Sequence, residues 1–422
     1  MARAAPVPLT GLDGTGWTLR TARGRARLLA TVGPAYVAGI AYIDPGNFAT
    51  NFTAGIRYGY QLAWTIVLAS AAAIVIQYAT SKVGLVTGQS LPQLCRARFS
   101  ERVNWMLWAQ AEVVAMATDI AEFVGAAVGL HLVFGIPLLA AGFATGVGVL
   151  LLLALERYRR GSFVLAITAL FFVVVGAFGY LLCTTGNQRL GAMASGLLPH
   201  IGNSGSVTLA VGIVGATVMP HVIYAHSALQ THHPSNADLA ERRRRLRLNG
   251  WDCVLGLSVA GLANVAMLCV AAALPRAGSA AAGDLTTVYT DFGRIAGGCA
   301  AAFGIALIAS GFASSTVGTY AGQVVMSGFV RRRIPVVTRR VITMVPSLFV
   351  LAIAADPTAV LVLSQVVLSF CIPFALVPLI LVARDRQVMG ELASRHLMTA
   401  LLCLISAAII GLNAFLIYAT VR

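Results

Sequence analysis

The sequence predicts an all-α membrane protein that crosses the bilayer many times. Of its 422 residues, 58% are hydrophobic and only 11% are charged, and the mean hydropathy is +0.82. Soluble globular proteins carry roughly 25% charged residues, so that class is excluded. The length allows roughly ten to twelve spans of ~20 residues each. A transmembrane β-barrel needs strand-sized segments of alternating hydrophobicity, and because the sequence lacks them, helices are favoured.

Eleven apolar stretches follow one another along the chain, and each is predicted to form one transmembrane helix. They cover residues 28–58, 61–84, 104–131, 137–156, 162–183, 207–230, 251–274, 295–327, 338–355, 357–383 and 397–420. Residues 1–27 are rich in Gly, Ala, Pro and Arg and are predicted to form a flexible cytoplasmic tail. The connection 275–294 looks like a simple external loop.

The positions of the basic residues test this helix count and orient the chain. When the connections are assigned to alternating sides of the membrane, 25 of the 30 Lys and Arg residues fall on one side. The other side receives Arg57, Arg189, Arg276, Arg294 and Arg422. The positive-inside rule then places the N-terminus in the cytoplasm and the C-terminus outside. We therefore expect a multi-pass protein of the plasma (inner) membrane.

The formal net charge of +15 bears on the choice of partner. In a soluble protein it would suggest nucleic acid, but here the positive-inside pattern accounts for it, and we expect no nucleic-acid partner. The partner implied is the lipid bilayer. The cluster Arg242–Arg247 could bind anionic lipid, although a solvated loop is the simpler interpretation. The seven cysteines are scattered without a Cys-x-x-Cys pair and are interpreted as packing residues.

Two of the predicted spans carry an interruption near the middle. The first reads Asp44-Pro45-Gly46-Asn47 and the second Met219-Pro220-His221. Proline breaks a helix, and non-helical backbone at membrane depth is tolerated only where it is buried in protein or lines a cavity. The interruptions open spans one and six. This spacing predicts an inverted repeat of five plus five helices, with a substrate site between the breaks. The repeats would cover residues 28–183 and 207–383, and the span 397–420 would be an additional eleventh helix.

The residues at the breaks are chemically suited to a metal ion. Asp44 and Asn47 supply a carboxylate and an amide oxygen, and Met219 supplies a thioether, which suits soft cations better than Na⁺, Mg²⁺ or Ca²⁺. The unwound backbone also leaves the carbonyls near Ala41 and Ala216 without helical donors. Such a mixed set favours Mn²⁺ or Fe²⁺. The alternative for Met219 is that it only fills the core.

The third span carries Glu112, Asp119 and Glu122, which helical geometry places on one face. Buried carboxylates are costly in a membrane unless they face a hydrated or paired interior, and such a stripe is typical of a proton path. Arg339 and Arg340, at the cytoplasmic end of span nine, are expected counter-charges. A static ion-pair network is the alternative interpretation. His221 is interpreted as a protonatable gate, whereas His226 is expected to be structural.

These motifs together resemble those of the natural resistance-associated macrophage protein (Nramp) family of divalent-metal transporters, with no departure at the motif positions. Two further segments extend the similarity, namely Met116–Glu122 and Ser364-Gln365-Val366. The resemblance implies the LeuT-type fold and proton-linked import of Mn²⁺, Fe²⁺ and related ions. Because Met219 is present, the chain looks unlike the related magnesium and aluminium carriers. The short tail and simple external loop suggest a bacterial-type member.

The resemblance also implies roles for individual residues. The metal ligands would be Asp44, Asn47, Met219, the carbonyls of Ala41 and Ala216, and Gln365 in the occluded state. The proton route would use Asp44, Asp119, Glu122 and His221 and lead toward Arg339 and Arg340. Glu112 is added to this predicted route as a member of the acidic stripe.

The sequence thus predicts a proton-coupled importer of divalent transition-metal ions that works by alternating access. The nearest alternative is a Na⁺- or H⁺-coupled transporter of another solute, such as an amino acid, on the same fold. A passive channel is disfavoured by the repeat. An enzyme is not expected, because the sequence has no His-Glu-x-x-His or comparable ligand set. We expect no resident cofactor and no obligatory protein partner, since the metal ion and the protons are cargo.

Overall fold

The structure is a computed structural model of the whole chain, and parts of it are well enough placed to describe. The described residues are 34–158, 160–186, 188–231, 238–274, 283–331, 335–353 and 356–421. The predicted tail, residues 1–27, lies outside them.

Every regular element in these ranges is a helix. The first part of the chain forms α1 (Pro34–Ala41), α2 (Pro45–Tyr58), α3 (Ala63–Thr87), α4 (Leu91–Arg98), α5 (Glu101–Phe134), α6 (Leu138–Tyr158), α7 (Arg160–Thr185) and α8 (Leu190–Ser195). The second part forms α9 (Ser204–Thr217), α10 (Pro220–Leu229), α11 (Leu239–Ala273), α12 (Leu285–Ile295), α13 (Gly297–Val325), α14 (Val336–Ile353), α15 (Pro357–Arg384), α16 (Arg386–Met389) and α17 (His396–Val421). A π-helical turn, Met326–Val330, extends α13, and a 3₁₀ turn, Gly390–Leu392, follows α16.

Each of the eleven apolar stretches of the sequence forms a helix or a broken pair of helices, and shorter helices lie in some of the connections. In the described residues, nine are long and apolar enough to cross a membrane, counting α9 and α10 as one broken span. The other two stretches form the broken pair α1–α2 and the 18-residue helix α14. The prediction of an all-helical, multi-pass membrane protein is therefore confirmed. The number of helices that cross the bilayer, the side of each terminus and the repeat boundaries stay predictions.

The predicted simple loop 275–294 is wrong in its second half, because residues Leu285–Ile295 form helix α12. Leu285, Val288 and Phe292 recur at helical spacing and are fully buried. Phe292 packs against Phe52 of α2 with ring centroids 6.0 Å apart. This amphipathic pattern was visible in the sequence, but the segment is too short and too polar to be recognised as a membrane span.

Local capping explains where several helices begin. Asp44, Asn203, Asp238 and Asp356 are the N-caps of α2, α9, α11 and α15, and the side chain of each accepts a hydrogen bond from a backbone N–H of the first turn. These bonds satisfy donors that a helix start leaves without partners. For α2, the cap is also one of the residues predicted to bind metal.

The two breaks lie in the interior of the helix bundle. The most apolar stretch of the α9–α10 span is 94% buried inside the protein, whereas that of α17, at the periphery, is 28% buried. Helix α5 packs most extensively against α13, and α9 packs against α15. Asn413 holds α17 in place, since its amide accepts from the Ser369 hydroxyl at 2.8 Å and donates to the Ser369 carbonyl at 3.0 Å.

The close approach of α3 and α10 leads to a stability prediction. A Cβ added at Gly84 would overlap the carbonyl oxygen of Ser227, which belongs to the backbone and cannot rotate away. We expect Gly84→Ala to lower the thermal unfolding temperature, because overpacking costs about 1–3 kcal/mol. The matched control is Gly176→Ala on α7, where no heavy atom lies within 4 Å of the added Cβ. Equal unfolding temperatures for the two variants would contradict the tight α3–α10 contact.

Candidate metal-binding site

The two helix breaks meet inside the protein. Helix α1 ends at Ala41 and α2 begins at Pro45, while α9 ends at Thr217 and α10 begins at Pro220. The Asn47 side chain bridges them, because its Nδ2 donates to the carbonyl of Ala216 at 3.0 Å and to that of Tyr42 at 3.2 Å. The two predicted motifs, about 170 residues apart in sequence, are thus in direct contact.

The same backbone arrangement occurs in both breaks. In an α-helix the carbonyl of residue i accepts from the N–H of residue i+4. The residue four positions after Ala41 is Pro45, and the residue four positions after Ala216 is Pro220. Proline has no N–H, so each carbonyl lacks its helical donor. The Ala216 carbonyl accepts from Asn47 instead, and its second lone pair stays available to a cation.

Asp44 and Asn47 each present an oxygen with no partner. Asp44 Oδ1 accepts from both the backbone N–H and the side-chain Nδ2 of Asn47, each at 2.8 Å. These bonds fix the carboxylate, and its second oxygen, Oδ2, is buried without a hydrogen bond. Asn47 Oδ1 is likewise buried without a partner. Burying such oxygens unpaired is costly, so their presence indicates a site that a cation can occupy.

The Met219 side chain carries a thioether sulfur, which is a soft ligand atom. Met219 is the residue immediately before Pro220, is 1% exposed, and belongs to the same buried cluster as Ala41, Tyr42 and Ile43 of the first break. Among the described residues, no group of three or more His, Cys, Asp and Glu side chains is arranged to hold a metal. A metal site formed by these residues would combine carboxylate, amide, carbonyl and thioether ligands.

Gln365 of α15 lies against both breaks. Its side-chain amide occupies the space that a Cβ at Gly46 would need, and its backbone occupies the corresponding space beside Gly215. Its Nε2 donates to the Ser364 hydroxyl at 3.1 Å, while its Oε1 is buried and has no partner. A third unpartnered side-chain oxygen is thus next to the Asp44-Pro45-Gly46-Asn47 turn.

The acidic stripe of α5 meets the two arginines of α14. Glu112 pairs with Arg339 at 2.8 Å, and Asp119 pairs with Arg340 at 2.5 Å. Arg339 also donates to the Gly322 carbonyl at 2.6 Å. The Asp119–Arg340 pair is almost fully buried, with side-chain exposures of 8% and 2%. Such a pair persists in the interior only because its two charges offset each other.

Glu122 is the member of this stripe that comes within electrostatic range of the first break. Its carboxylate lies against Gly318 of α13, within electrostatic range of Asp119, Arg340 and Asp44. One of its oxygens, Oε2, is buried without a hydrogen bond, as are Nε and Nη2 of Arg340. Glu122 is therefore the predicted proton-route residue that lies near both Asp44 and the Asp119–Arg340 pair.

The two histidines of α10 are both buried. Nδ1 of His221 lies 3.1 Å from the Thr118 hydroxyl on α5, and its Nε2 has no partner. His221 thus contacts the acidic helix from the start of the second break, and its gating role stays a prediction. Nδ1 of His226 lies 2.9 Å from Oε1 of Gln77, which agrees with a structural role for that residue.

Several polar residues that support the first break were not identified from the sequence. Gln77 donates to the Tyr42 hydroxyl at 2.9 Å, and Asn264 donates to the Tyr42 carbonyl at 3.0 Å. Ser310 donates to the Ile43 carbonyl at 2.7 Å. These contacts hold Tyr42 and Ile43 of the unwound segment in place from α3, α11 and α13. The available signal was a lone polar residue in an apolar helix, which indicates burial against a polar group but does not identify the partner.

Comparison with known proteins places the chain in a well-defined group. The family model described as natural resistance-associated macrophage protein-like (Nramp) matches residues 35–419. The divalent metal cation transporter MntH of Deinococcus radiodurans is 46% identical over 398 residues, which are 94% of this chain and 91% of that protein. MntH of Bacillus subtilis is 43% identical over 401 residues, which are 95% and 94% of the two chains.

Solved structures agree with the fold. The crystal structure of the Eremococcus coleocola manganese transporter, in complex with an aromatic bis-isothiourea substituted compound, superposes with a TM-score of 0.79 at 27% identity, over 96% of this chain and 97% of that one. Mhp1, a nucleobase-cation-symport-1 family transporter, gives a TM-score of 0.61 at 16% identity over 92% of each chain, a likeness of fold alone. The LeuT-type fold is thereby confirmed.

Proposed function

The chain belongs to the Nramp family of membrane transporters, and from this membership we propose that it imports divalent transition-metal ions together with protons by alternating access. The cargo would be Mn²⁺ or Fe²⁺, with Co²⁺ and Cd²⁺ as further ions that the same ligands accept. The relatives named above are described as divalent metal cation and manganese transporters.

The observation that carries this proposal is the set of unpartnered oxygens around the breaks. Asp44 Oδ2, Asn47 Oδ1 and Gln365 Oε1 are all buried without hydrogen bonds, and the Met219 side chain is buried at the start of the second break. The carbonyls of Ala41 and Ala216 complete the set. Oxygen ligands alone would serve Mg²⁺ and Ca²⁺ equally well, whereas a thioether adds affinity only for softer ions.

We assign proton transfer to the stripe that begins at this site. Asp44 would release its proton when the metal binds, because a cation favours the ionised carboxylate. Glu122, Asp119 and His221 lie between Asp44 and the Glu112–Arg339 pair and would carry the proton inward. The partly unsatisfied guanidinium of Arg340 can form new hydrogen bonds as Asp119 changes its protonation state.

The alternative cargo, an amino acid on the same fold, is disfavoured by the charge at the break. An amino acid could pair its ammonium group with Asp44, but its own carboxylate would remain in the same buried, low-dielectric region and repel that of Asp44 strongly. Nothing in the described contacts around Asp44 offers a cation to offset that repulsion: the hydrogen bonds of its carboxylate come from Asn47.

The experiment that tests the proposal is Mn²⁺ uptake into proteoliposomes under an imposed inward proton gradient, with excess external Ca²⁺ and a pH indicator in the lumen. We expect Mn²⁺ uptake that acidifies the lumen and that Ca²⁺ does not inhibit. A protonophore should remove the stimulation by the gradient. Absence of Mn²⁺ flux from folded protein would overturn the proposed cargo, and uptake without acidification would overturn proton coupling.

The variant Asp119→Asn separates the two fluxes in the same assay. Asp119 hydrogen-bonds Arg340 rather than the residues at the breaks, so we expect its loss to lower proton entry more than Mn²⁺ entry. Glu101→Gln removes an exposed carboxylate from the first turn of the same helix and is the matched control. If Asp119→Asn and Glu101→Gln carry the same number of protons per metal ion, Asp119 has no role in the proton route.

A further inference from the structure

Several cations lie where α3 ends and α11 begins, on the Arg-rich side of the membrane. Arg243, Arg247 and Gly250 recur at helical spacing and share one face of α11. A Cβ at Gly250 would lie 3.5 Å from the ring of Tyr78 on α3. Lys82 follows Tyr78 by one helical turn. It therefore lies toward the start of α11, where Arg247 is located. Lys82 therefore lies beside the face that carries Arg243 and Arg247.

The chain segment before α17 adds to this group. Arg395 is close enough to Lys82 for their charges to repel each other, and Glu391 lies 4.0 Å from Arg243. We call Lys82, Arg243, Arg247 and Arg395 the basic cluster. Of its four cations, Arg243 is ion-paired, so three positive charges have no ion pair within the described residues.

Two of the neighbouring acids are already engaged by other arginines. Glu241 is engaged by Arg244 and Arg245, and Asp385 pairs with Arg98. Within the described ranges, no ion pair joins Lys82, Arg247 or Arg395 to a carboxylate. Lys82 is moreover partly buried, so water screens its repulsion by Arg395 less than it would on an open surface. Such an arrangement is stabilised by an anion.

An exposed apolar surface begins directly beside the basic cluster. Leu248, Trp251 and Leu255 of α11 are 59%, 62% and 64% exposed and recur at helical spacing. In a membrane-spanning helix such residues face lipid acyl chains, and tryptophan is enriched at the level of the headgroups. The cations thus lie at phosphate level, next to a surface suited to an acyl chain.

We propose that the basic cluster binds the phosphodiester of an anionic phospholipid, such as phosphatidylglycerol, whose acyl chain lies along Trp251 and Leu255. The charge excess selects an anion, and the adjoining apolar face selects a lipid over a soluble phosphate. This site is separate from the transported metal and does not depend on the proposed function. A basic residue near an anionic leaflet contributes about 1 kcal/mol, so losing two should weaken the apparent affinity roughly 30-fold.

The test follows thermal unfolding of the purified full-length protein in neutral detergent as dioleoyl-phosphatidylglycerol is added. Dioleoyl-phosphatidylcholine and inorganic phosphate are run in parallel. We expect phosphatidylglycerol alone to raise the unfolding temperature of the wild type. A rise of the same size with phosphatidylcholine, or no rise with phosphatidylglycerol, would overturn the proposal. If phosphate alone reproduces the rise, the cluster is a site for free phosphate and the assignment to lipid is wrong.

Variants locate the effect on the basic cluster. Lys82→Gln/Arg395→Gln removes two of its cations, and Arg243→Gln/Arg247→Gln removes the other two from exposed positions, so at least one variant should fold. Each should need roughly 30-fold more phosphatidylglycerol for the same rise. Arg102→Gln/Arg384→Gln removes the same charge from exposed positions elsewhere on the Arg-rich side and should respond as the wild type does. Equal responses from a cluster variant and the wild type would overturn the site.

Discussion

Replacing Asp44 with asparagine should reduce Mn²⁺ uptake by at least about 100-fold. Even residues that only orient metal ligands contribute 10–100-fold to affinity, and Asp44 is the only carboxylate proposed to contact the metal directly. The substitution keeps the shape of the side chain and replaces one oxygen by an NH₂ group. In the conformation that retains Oδ1 as the acceptor of the Asn47 hydrogen bonds, the NH₂ group takes the position of the unpartnered Oδ2. Two N–H donors would then face the cation.

The role of Asp44 as a helix cap makes this variant informative. Asparagine and aspartate are about equally good N-caps, so α2 should still begin at Pro45. Asp238→Asn makes the same change at the N-cap of α11, outside the breaks, and should leave uptake unchanged. The measurement is the initial rate of Mn²⁺ uptake per folded transporter, with folding checked by thermal unfolding. Uptake by Asp44→Asn at the rate of Asp238→Asn would exclude Asp44 as a metal ligand.

The main chain of the site could be predicted from the sequence because proline and helical periodicity act locally. Pro45 and Pro220 remove specific hydrogen bonds wherever the helices lie, so the positions of the breaks follow from the residues themselves. In the same way, Glu112, Asp119 and Glu122 share a face of any regular helix. The charges of Arg339 and Arg340 made them expected partners, since buried carboxylates need counter-charges.

The supporting contacts could not be predicted because they depend on how helices rotate against one another. Gln77, Asn264 and Ser310 come from three different helices, and each binds Tyr42 or Ile43. A single polar side chain in an apolar helix is compatible with many partners. The hydrogen bond from Asn47 to the Ala216 carbonyl could not be predicted for the same reason. Both residues were predicted metal ligands, but only the packed structure shows that the Asn47 amide donates to the Ala216 carbonyl.

Met219→Ala should allow Ca²⁺ to compete with Mn²⁺. Ca²⁺ binds through six to eight oxygen ligands and gains little from a thioether. Alanine removes the sulfur and leaves space for water at the second break, so a soft ligand is exchanged for a hard one. A preference of even 1.4 kcal/mol corresponds to a tenfold ratio of affinities. We therefore expect the Ca²⁺ concentration that halves Mn²⁺ uptake to fall about tenfold or more.

Loss of a buried methionine also creates a cavity, and the cavity must be separated from the loss of the sulfur. Met389→Ala is the matched control, because Met389 is 2% exposed and lies in a different hydrophobic cluster from Met219. Both variants should lose stability, since Met→Ala in a core costs about 2–5 kcal/mol. Only Met219→Ala should change the competition by Ca²⁺. Rejection of Ca²⁺ by Met219→Ala as strong as by Met389→Ala would mean that Met219 fills the core and that selectivity arises from the oxygen ligands.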